Sequence, residues 1–566
     1  MFDSLLSLLR RNPRLYARLR AFKYTLWSKP GIGKLLADPS ELVQMETIAR
    51  QTSSNILASP GKGPKVLFFS MRGWSTHIAW ETIIAAALRL RGAEASFYTC
   101  GKRLPLCDIA SHHVSPPTPC DFCATYVNRA LAAWGFSTQR LFDFTTPAEI
   151  ANLRQQVAAL PYEKYGEFMA EGLPVGKLIT TSVRWFLCSG TIGDDKLARQ
   201  SYHDFLLSAA IMARVGARLL DTIKPDKLFL LNGLFFAERI MMELARLRAL
   251  PLVTYEVGFI PGTLVFAHER IAAYYEPDEF WPRYANIPLL PAEVDQLDEY
   301  LLLRKKGRGD AVRYFPSLEE DWQIIITQLS LERNKTLVTA FTNILWDSAI
   351  LDRDRAFTNM IDWLDTTIQH FISRDDAQLV IRIHPAEIRL AMQETREQVA
   401  QVLSSRYPNL PAHIKIVPPE SSLSSYILMR MSDVGLVYTS TVGLEMALDG
   451  KPVIVAGETH YAGKGFTYDV ANRDEYLALL NDLTNLGALS ATMVEQARRY
   501  AYLFFFRYML PFPLTTTLAR GRLRFNFDTL DDLRPGRWPE LDLICEAILK
   551  DKPFIRETGV PDYVQD

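Results

Sequence analysis

Short, continuous apolar runs recur along the chain, and most are followed by a polar turn and a segment with helical periodicity. Runs at 65–70, 226–231 and 252–255 predict buried strands in the first half. Runs at 336–341, 378–383, 434–437 and 453–456 predict a second set. Buried strands that alternate with helices are typical of parallel sheets with helices on both faces. The pattern therefore predicts two α/β domains of Rossmann-like type.

The stretch 431–470 carries the clearest chemistry. It predicts a strand at 434–437, a hydroxyl-rich turn, a helix at 444–448 and a second strand at 453–456. Open α/β sheets bind ligands where parallel strands end, and the N–H groups at a helix start favour an anion. We therefore expect Ser440 and Thr441 to bind a phosphate. Glu445 would cap the helix or reach a ribose hydroxyl.

Three further segments complete the predicted ligand edge of the second domain. The strand at 378–383 ends at His384, whose imidazole can donate a hydrogen bond to a phosphate oxygen. A purely structural histidine is the alternative. The strand at 336–341 leads to Asn343, which should face the cleft. In the loop 457–468, which could close over a bound ligand, His460 and Tyr461 should lie nearest that ligand.

Three residues mark strand ends in the first domain. Glu256 follows the run at 252–255, where a carboxylate could accept a proton from a bound substrate. A loop-capping role for Glu256 is the alternative. Asn232 follows the run at 226–231 and is expected on the acceptor side. His77 would contact an acceptor or simply begin a helix.

These motifs resemble a known family. The sequence Y-T-S-T-V-G-L-E-M-A, then G-K-P-V and H-Y-A-G-K-G-F-T-Y-D, resembles the nucleotide-sugar site of the capsule polysaccharide biosynthesis glycosyltransferases, which include bacterial Kdo transferases. I-R-I-H-P-A-E resembles the His-Pro motif that those enzymes share with bacterial sialyltransferases. The resemblance adds a set of donor-site residues, namely Asn343, His384, Tyr438, Thr439, Ser440, Thr441, Gly443, Glu445, His460 and Tyr461.

The resemblance implies a GT-B fold, in which two Rossmann-like domains face each other across a cleft. It implies inverting, metal-independent transfer from a nucleotide-activated sugar, with a CMP-Kdo-like donor favoured, to a capsular or other surface polysaccharide or a glycolipid. Glu256 would be the base and His384 the phosphate ligand. Here Val257 replaces the second acid of the family's acid-acid-Gly motif, which leaves a single carboxylate.

Composition fixes the outer limits. The chain has 566 residues, a formal net charge of -1 and 48% hydrophobic residues, which is typical of a globular protein of more than one domain. This balance gives no field that favours nucleic acid. We expect a cytoplasmic protein, because no signal-peptide pattern and no bilayer-length apolar run is present. The predicted segments are a basic helical extension at 1–60, a first domain at 61–270 with a helical insertion at about 125–215, a passage at 271–330, a nucleotide-sugar domain at 331–490, and helices at 491–566 that return to the first domain.

Residues 1–35 carry eight basic side chains and one acid among many apolar residues. Such a segment can lie on an anionic membrane surface, which would place the enzyme peripherally on the inner face of the cytoplasmic membrane, near a lipid-linked acceptor. A surface helix with a solvated basic face is the alternative.

Four cysteines lie close together in the sequence, at Cys100, Cys107, Cys120 and Cys123. Because disulfides are disfavoured in the cytosol, this spacing predicts a structural zinc or an iron-sulfur cluster, with unligated cysteines as the alternative. No cofactor is expected to take part in catalysis. The D-x-D at 352–354 is discounted as a metal motif, since it does not directly follow a strand.

Two other functions remain open. A polyol-phosphate transferase of the CDP-glycerol type would use a similar phosphate-binding turn. A degenerate transferase fold would act as a non-catalytic scaffold in a polysaccharide assembly complex.

Overall fold

The computed structural model describes residues 19, 22–23, 25–29, 38–52, 61–102, 104–109, 111–113, 119–305, 320–347, 350–389, 395–519 and 521–557. The chain divides into two compact units. Unit 1 is drawn from Met1–Leu187, Thr191–Ala273 and Met509–Ile555. Unit 2 is drawn from Cys188–Gly190, Tyr274–Tyr508 and Arg556–Asp566.

Each unit is built on its own sheet. In chain order the strands are β1 Lys65–Ser70, β2 Glu94–Thr99, β3 Thr138–Arg140, β4 Lys227–Leu231, β5 Leu252–Val257, β6 Thr263–His268, β7 Thr336–Phe341, β8 Ala377–Arg382, β9 Ile414–Val417, β10 Val434–Val437, β11 Val453–Val455, β12 Tyr468–Asp469, β13 Leu510–Pro511, β14 Thr515–Ala519 and β15 Arg522–Phe525.

The sheet of unit 1 has the order β13-β6-β5-β4-β1-β2-β3. Strands β1 to β5 run parallel to one another, whereas β6 is antiparallel to β5 and β13 is antiparallel to β6. The strand order reverses between β1 and β4. Strands β14 and β15 form a separate antiparallel pair in the same unit.

The sheet of unit 2 has the order β12-β11-β10-β7-β8-β9 and is parallel throughout. This is the doubly wound order of nucleotide-binding folds, and it reverses between β7 and β10. Open α/β sheets bind ligands at such a switch point, beyond the carboxyl ends of the two strands.

The helices cover both sheets. They are α1 Ser40–Gln51, α2 Ser75–Leu90, α3 Cys120–Ala133, α4 Pro147–Ala158, α5 Val175–Leu178, α6 Thr180–Leu187, α7 Lys196–Ile223, α8 Phe236–Arg246, α9 Trp281–Tyr284, α10 Pro291–Lys305, α11 Trp322–Leu329, α12 Met360–Ile372, α13 Ala386–Arg389, α14 Val399–Arg406, α15 Ser425–Met431, α16 Val442–Leu448, α17 Arg473–Asn481, α18 Ala491–Tyr502 and α19 Pro539–Lys550. A π-helical segment, Leu503–Tyr508, continues α18.

The central strands form because their residues are apolar on both faces. All five residues of β4 and all four of β10 are buried. Each sheet has its own hydrophobic cluster, in which Phe68 and Phe229 pack within unit 1 and Trp363 and Tyr438 within unit 2. Two-sided burial explains why these strands read as continuous hydrophobic runs.

The prediction of two Rossmann-like α/β units is confirmed. Their arrangement across a cleft stays a prediction. Strand β5 extends to Val257, so Glu256 lies inside the strand rather than after it. The region predicted as a helical insertion also contributes β3 to the main sheet. The chain leaves unit 2 at Tyr508, and β13 then joins the sheet of unit 1.

Most of the basic segment 1–35 lies outside the described residues, so its contact with a membrane stays a prediction. Among the helices that the structure describes, none has the length and apolar content needed to cross a bilayer.

Candidate active site

The switch point of unit 2 brings together the polar residues that follow β7 and β10. The Asn343 side chain accepts a hydrogen bond from the Thr439 N–H through Oδ1, at 3.3 Å. Thr439 is 8% exposed, and no described residue hydrogen-bonds to its Oγ1. A direct hydrogen bond therefore joins the loops that follow the two strands, beside a buried hydroxyl that has no partner among the described residues.

His384 lies just beyond β8, next to the switch point. Its N–H donates to Thr342 Oγ1, and its Nδ1 accepts from the Ala386 N–H, each at 3.1 Å. A ring nitrogen that accepts a hydrogen bond is unprotonated, so the ring proton lies on Nε2 and makes that atom a donor. Burial first, and the charge of Arg382 second, lower the pKa of His384 to about 4. The imidazole is therefore neutral near pH 7 and still able to donate.

The Ser440–Thr441 turn leads into the seven-residue helix α16. Ser440 Oγ accepts from the Val442 N–H at 3.3 Å, and both turn residues are partly exposed. Tyr461 is fully buried and donates from Oη to the Ser440 carbonyl at 2.5 Å. A Cβ at Gly443 would lie 2.2 Å from that same Oη, so only glycine lets α16 approach Tyr461 closely. The Tyr461 hydroxyl therefore fixes the backbone of the Ser440–Thr441 turn and packs against the start of α16.

Glu445 has a partner that the sequence did not predict. Its Oε1 accepts from Arg304 at 2.8 Å, and the two side chains are only 8% and 5% exposed. The pair joins α16 to α10 inside unit 2. Because one carboxylate oxygen is engaged with Arg304, the structure gives Glu445 a packing role; contact with a ribose stays a prediction.

Tyr438 and His460 are also buried. Tyr438 Oη donates to Asp354 at 2.5 Å, which gives the last residue of the discounted D-x-D a structural partner. The His460 ring stacks on Phe504 with 4.0 Å between centroids, and its Nδ1 lies 2.9 Å from Tyr500 Oη. These contacts give both side chains packing roles inside unit 2. Contact of either side chain with a sugar stays a prediction.

Arg382, the last residue of β8, was not singled out from the sequence. It is 2% exposed, and its guanidinium donates to the carbonyls of Pro418 and Ser421 and to Ser425 Oγ. Burial lowers the pKa of Arg382 to about 10. These three acceptors are all uncharged, so they do not offset the positive charge of Arg382 near His384, and that charge favours an anion at this edge.

In unit 1, Glu256 and Asn232 are brought together by adjacent strands. Asn232 Nδ2 donates to Glu256 Oε2 at 2.9 Å, and the Val257 N–H donates to Oε1 at 2.7 Å. Asn232 Oδ1 accepts from the Leu234 N–H at 2.9 Å, which fixes the amide with its NH₂ group toward the carboxylate. Burial raises the pKa of Glu256, and these two donors offset part of that rise.

His77 lies in the first turn of α2, at the same edge of the unit 1 sheet. Its Nδ1 lies 3.2 Å from Tyr255 Oη, and that hydroxyl donates to Glu81 at 2.7 Å. Nearby, Arg72 is fully buried between Asp108 and Glu238. Glu81, Tyr255 and Arg72 were not predicted from the sequence.

The four clustered cysteines all carry free thiols. Cys123 Sγ accepts from the Gly73 N–H at 3.0 Å, and burial raises the pKa of both Cys107 and Cys123. Within the described part of the chain, no three of the four thiols gather within 4.8 Å of one another. A zinc or iron-sulfur site here stays a prediction, which metal analysis of the purified protein would test.

Residues 308–502 match a family model described as capsule polysaccharide biosynthesis protein. The chain is similar to that family over this segment. The match covers the whole switch point of unit 2, including Asn343, His384 and the Ser440–Thr441 turn. Comparison with curated proteins gives no match.

Solved structures give weaker likenesses. The chain is similar to Thermosulfurimonas dismutans KpsC, beta Kdo 2,4 transferase, with 18% identity over 55% of this chain and 87% of that chain and a TM-score of 0.32. The beta Kdo 2,7 transferase of the same organism shows 17% identity over 57% of this chain and 88% of that chain, with a TM-score of 0.31. UDP-GlcNAc 2-epimerase from Neisseria meningitidis shows 10% identity over 77% of this chain and 97% of that chain, with a TM-score of 0.24. All these TM-scores lie below 0.5, and we draw no argument from them.

Proposed function

We propose that the protein is a glycosyltransferase that moves a sugar from a nucleotide-activated donor to a capsular or other surface glycan or to a glycolipid. Unit 2 binds the donor, with a CMP-Kdo-like sugar favoured, and Glu256 of unit 1 acts as the base. The reaction inverts the sugar centre and needs no metal. The observation that carries the proposal is the set of donors at the switch point of unit 2, inside the segment that matches the family.

A departing phosphate needs hydrogen-bond donors and positive charge, and the switch point offers both. The Nε2–H of His384 donates from a neutral ring, Ser440 and Thr441 supply hydroxyls, and the buried charge of Arg382 lies behind His384. The Thr439 Oγ1, which no described residue satisfies, would gain a partner from the ligand. A neutral histidine keeps this role across the physiological pH range.

The acceptor hydroxyl must lose its proton as the glycosidic bond forms. In the proposed mechanism the hydroxyl oxygen attacks the anomeric carbon, the bond from that carbon to the phosphate oxygen breaks, and the proton passes to Glu256. The nucleotide leaves with the bonding electrons. The raised pKa of Glu256 makes its carboxylate a stronger base than an exposed one, which favours this step.

Ligand binding is the first test. A thermal-shift panel should compare CMP, UDP, GDP, CMP-Kdo and CDP-glycerol, since a ligand that binds only the folded state raises Tm by mass action. We expect CMP and CMP-Kdo to raise Tm and His384→Ala to abolish the shift. His370→Ala is the matched control, because His370 is another half-buried histidine of unit 2 with a lowered pKa.

The catalytic test uses Glu256→Gln, which keeps the shape of the side chain. We expect turnover to fall at least about 100-fold while the CMP-induced shift of Tm is retained. Transfer should also be unchanged in EDTA. Appreciable residual turnover would remove Glu256 from the mechanism.

The same assays separate the other candidates. Release of CMP from CDP-glycerol, but not from CMP-sugars, would identify a polyol-phosphate transferase. If the protein bound none of the nucleotides, the non-catalytic scaffold would be favoured. For a lipid-linked acceptor, deletion of residues 1–35 should reduce co-sedimentation with anionic liposomes; unchanged binding would reject contact through that segment.

A further inference from the structure

A chain of hydrogen bonds runs through the core of unit 1 and ends at His77. Ser70 at the end of β1 donates to one oxygen of Glu81, and Tyr255 Oη donates to the other oxygen at 2.7 Å. The Tyr255 Oη in turn lies 3.2 Å from His77 Nδ1. Ser70, Glu81 and Tyr255 are 3%, 4% and 0% exposed, whereas His77 is only partly buried.

The chemistry of the carboxylate sets the direction of this chain. An ionised Glu81 has no proton to give, so the Tyr255 hydroxyl must donate to it. The tyrosine oxygen can then only accept from His77, which requires the ring proton to be on Nδ1. His77 Nε2 is left with a lone pair, and no described residue donates to it.

The surroundings of that nitrogen suit a sugar hydroxyl. Trp74 and Trp80 lie beside the His77 ring, with centroids 5.7 and 5.3 Å away, and Trp74 is itself partly exposed. An aromatic face next to a fixed hydrogen-bond acceptor is complementary to a polyhydroxylated ring, which offers C–H groups on its face and O–H groups at its rim.

We propose that the Ser70–Glu81–Tyr255 chain is a positioning relay that fixes the tautomer of His77, so that Nε2 accepts a hydrogen bond from a hydroxyl of the glycan acceptor. The assignment to a glycan acceptor rests on the proposed function. The tautomer is a property of the unliganded protein and is tested separately.

The relay depends on the ionisation of Glu81. Burial raises the pKa of Glu81 to about 7, with the carboxylate of Glu238 adding to the rise and Ser70, Tyr255 and Arg72 opposing it. Burial and the charge of Arg72 lower the pKa of His77 to about 3, so the ring stays neutral while Glu81 titrates. Protonation of Glu81 releases the constraint on Tyr255. Lowering the pH through 7 should therefore change the tautomer of His77 and not its charge.

The experiment is ¹⁵N NMR on the full chain with ¹⁵N-labelled histidine, which reports which ring nitrogen carries the proton. The His77 signals are assigned with His77→Asn. We expect the Nδ1–H form at pH 8.5 and a growing share of the Nε2–H form as the pH falls to 6. His460, whose Nδ1 lies 2.9 Å from the Tyr500 hydroxyl that donates to the His460 carbonyl, serves as the reference signal in the same spectra.

Two variants test the relay itself. Tyr255→Phe removes the partner of Nδ1 and should convert His77 mainly to the Nε2–H form at pH 8.5. Glu81→Gln should remove most of the pH dependence. Tyr126→Phe is the matched control, because Tyr126 is also fully buried in unit 1 and its hydroxyl bonds to no described residue.

An Nε2–H tautomer in the wild-type protein at pH 8.5, or an unchanged tautomer in Tyr255→Phe, would overturn the relay. If Glu81→Gln does not fold, the wild-type titration and Tyr255→Phe still decide. In the transfer assay, Tyr255→Phe should raise KM for the acceptor about tenfold with KM for the donor unchanged. If the tautomer changed in Tyr255→Phe but KM for the acceptor stayed normal, the relay would stand and only the contact with the acceptor would be rejected. If the wild-type protein showed no transfer at all, the result would count against the proposed function.

Discussion

The basicity of Glu256 is set by one backbone N–H and one side-chain amide. Donors to a carboxylate stabilise its charged form and hold its pKa below the value that burial alone would give. The amide belongs to Asn232, whose φ of 22° lies in the left-handed region, so the residue is held in a strained conformation at the end of β4. Removing that amide should make Glu256 harder to ionise.

We predict that Asn232→Gly shifts the acid limb of kcat/KM to higher pH by about one pH unit. Glycine keeps the backbone conformation and removes only the amide. Glu256, as the proposed base, acts when deprotonated, so a higher pKa of Glu256 moves the rise in activity to higher pH. The measurement is the pH profile of transfer. Lys224→Gly, at another residue with positive φ, should leave the acid limb of the kcat/KM profile unchanged. An unchanged acid limb in Asn232→Gly would mean that the Asn232 amide does not control the ionisation of the base.

At the scale of elements, helices α10 and α16 are joined by two ion pairs of different burial. Arg304 and Glu445 are almost fully buried, whereas Lys305 and Asp449 are 40% and 28% exposed. A buried pair leaves an uncompensated charge when one partner is removed, while an exposed pair is screened by water. The two pairs therefore form a natural comparison.

We predict that Arg304→Met destabilises unit 2 by about 3–5 kcal/mol, and that Lys305→Met costs less than about 1 kcal/mol. The double variant Arg304→Met with Glu445→Leu should recover most of the loss, because no buried charge remains. Urea unfolding followed by circular dichroism measures all three. Equal losses for the two single variants would mean that Glu445 finds another partner.

The strands that could be predicted from sequence are those buried on both faces. The runs at 65–70, 336–341 and 434–437 match β1, β7 and β10 to the residue, because a two-sided core imposes a continuous apolar run. Strands β3, β6 and β13 were missed. Leu510 of β13 pairs with Leu264 of β6, far away along the chain, and nothing local in a two-residue strand indicates such a partner.

The same division holds for the site. The sequence correctly placed Asn343, His384 and Ser440 just beyond the ends of strands, because the end of a buried strand is visible in the sequence; their role in a site stays a prediction. It did not find Arg304 beneath Glu445 or Tyr255 beneath His77, since those contacts join side chains on elements whose packing no sequence pattern specifies. The sequence signal for such contacts was weak: Arg304 is a charged residue that follows apolar residues, and Tyr255 is a hydroxyl-bearing residue within an apolar run.

Taken over the whole molecule, buried titratable groups of opposite kinds shape the stability profile with pH. Burial raises the pKa of Glu81 and of Glu387 to about 7 and lowers those of His77 and His384 to about 3 and about 4. Below pH 6.5 the unfolded histidines bind protons that the folded ones do not, which favours unfolding as the pH falls. The carboxyls have the opposite effect, because the folded forms keep protons that the unfolded forms have lost.

Between pH 6.5 and 8.0 the unfolded histidines lose the protons that they still hold, which raises stability and opposes the carboxyls. The effect of one carboxyl is therefore isolated by comparing the wild type with a variant that lacks it. We predict that Glu81 and Glu387 each lower stability by about 0.8 kcal/mol over this interval. Calorimetry at the two pH values, on the wild type and on the variant, measures that share. Glu387→Gln should remove its share in unit 2, because the amide can still accept from the Val399 N–H that the carboxylate binds at 2.7 Å. Glu397, a partly exposed acid of the same unit, gives the matched control in Glu397→Gln. If Glu387→Gln showed the same change of stability with pH as the wild type, Glu387 would already be ionised at pH 6.5 and would make no contribution over this interval.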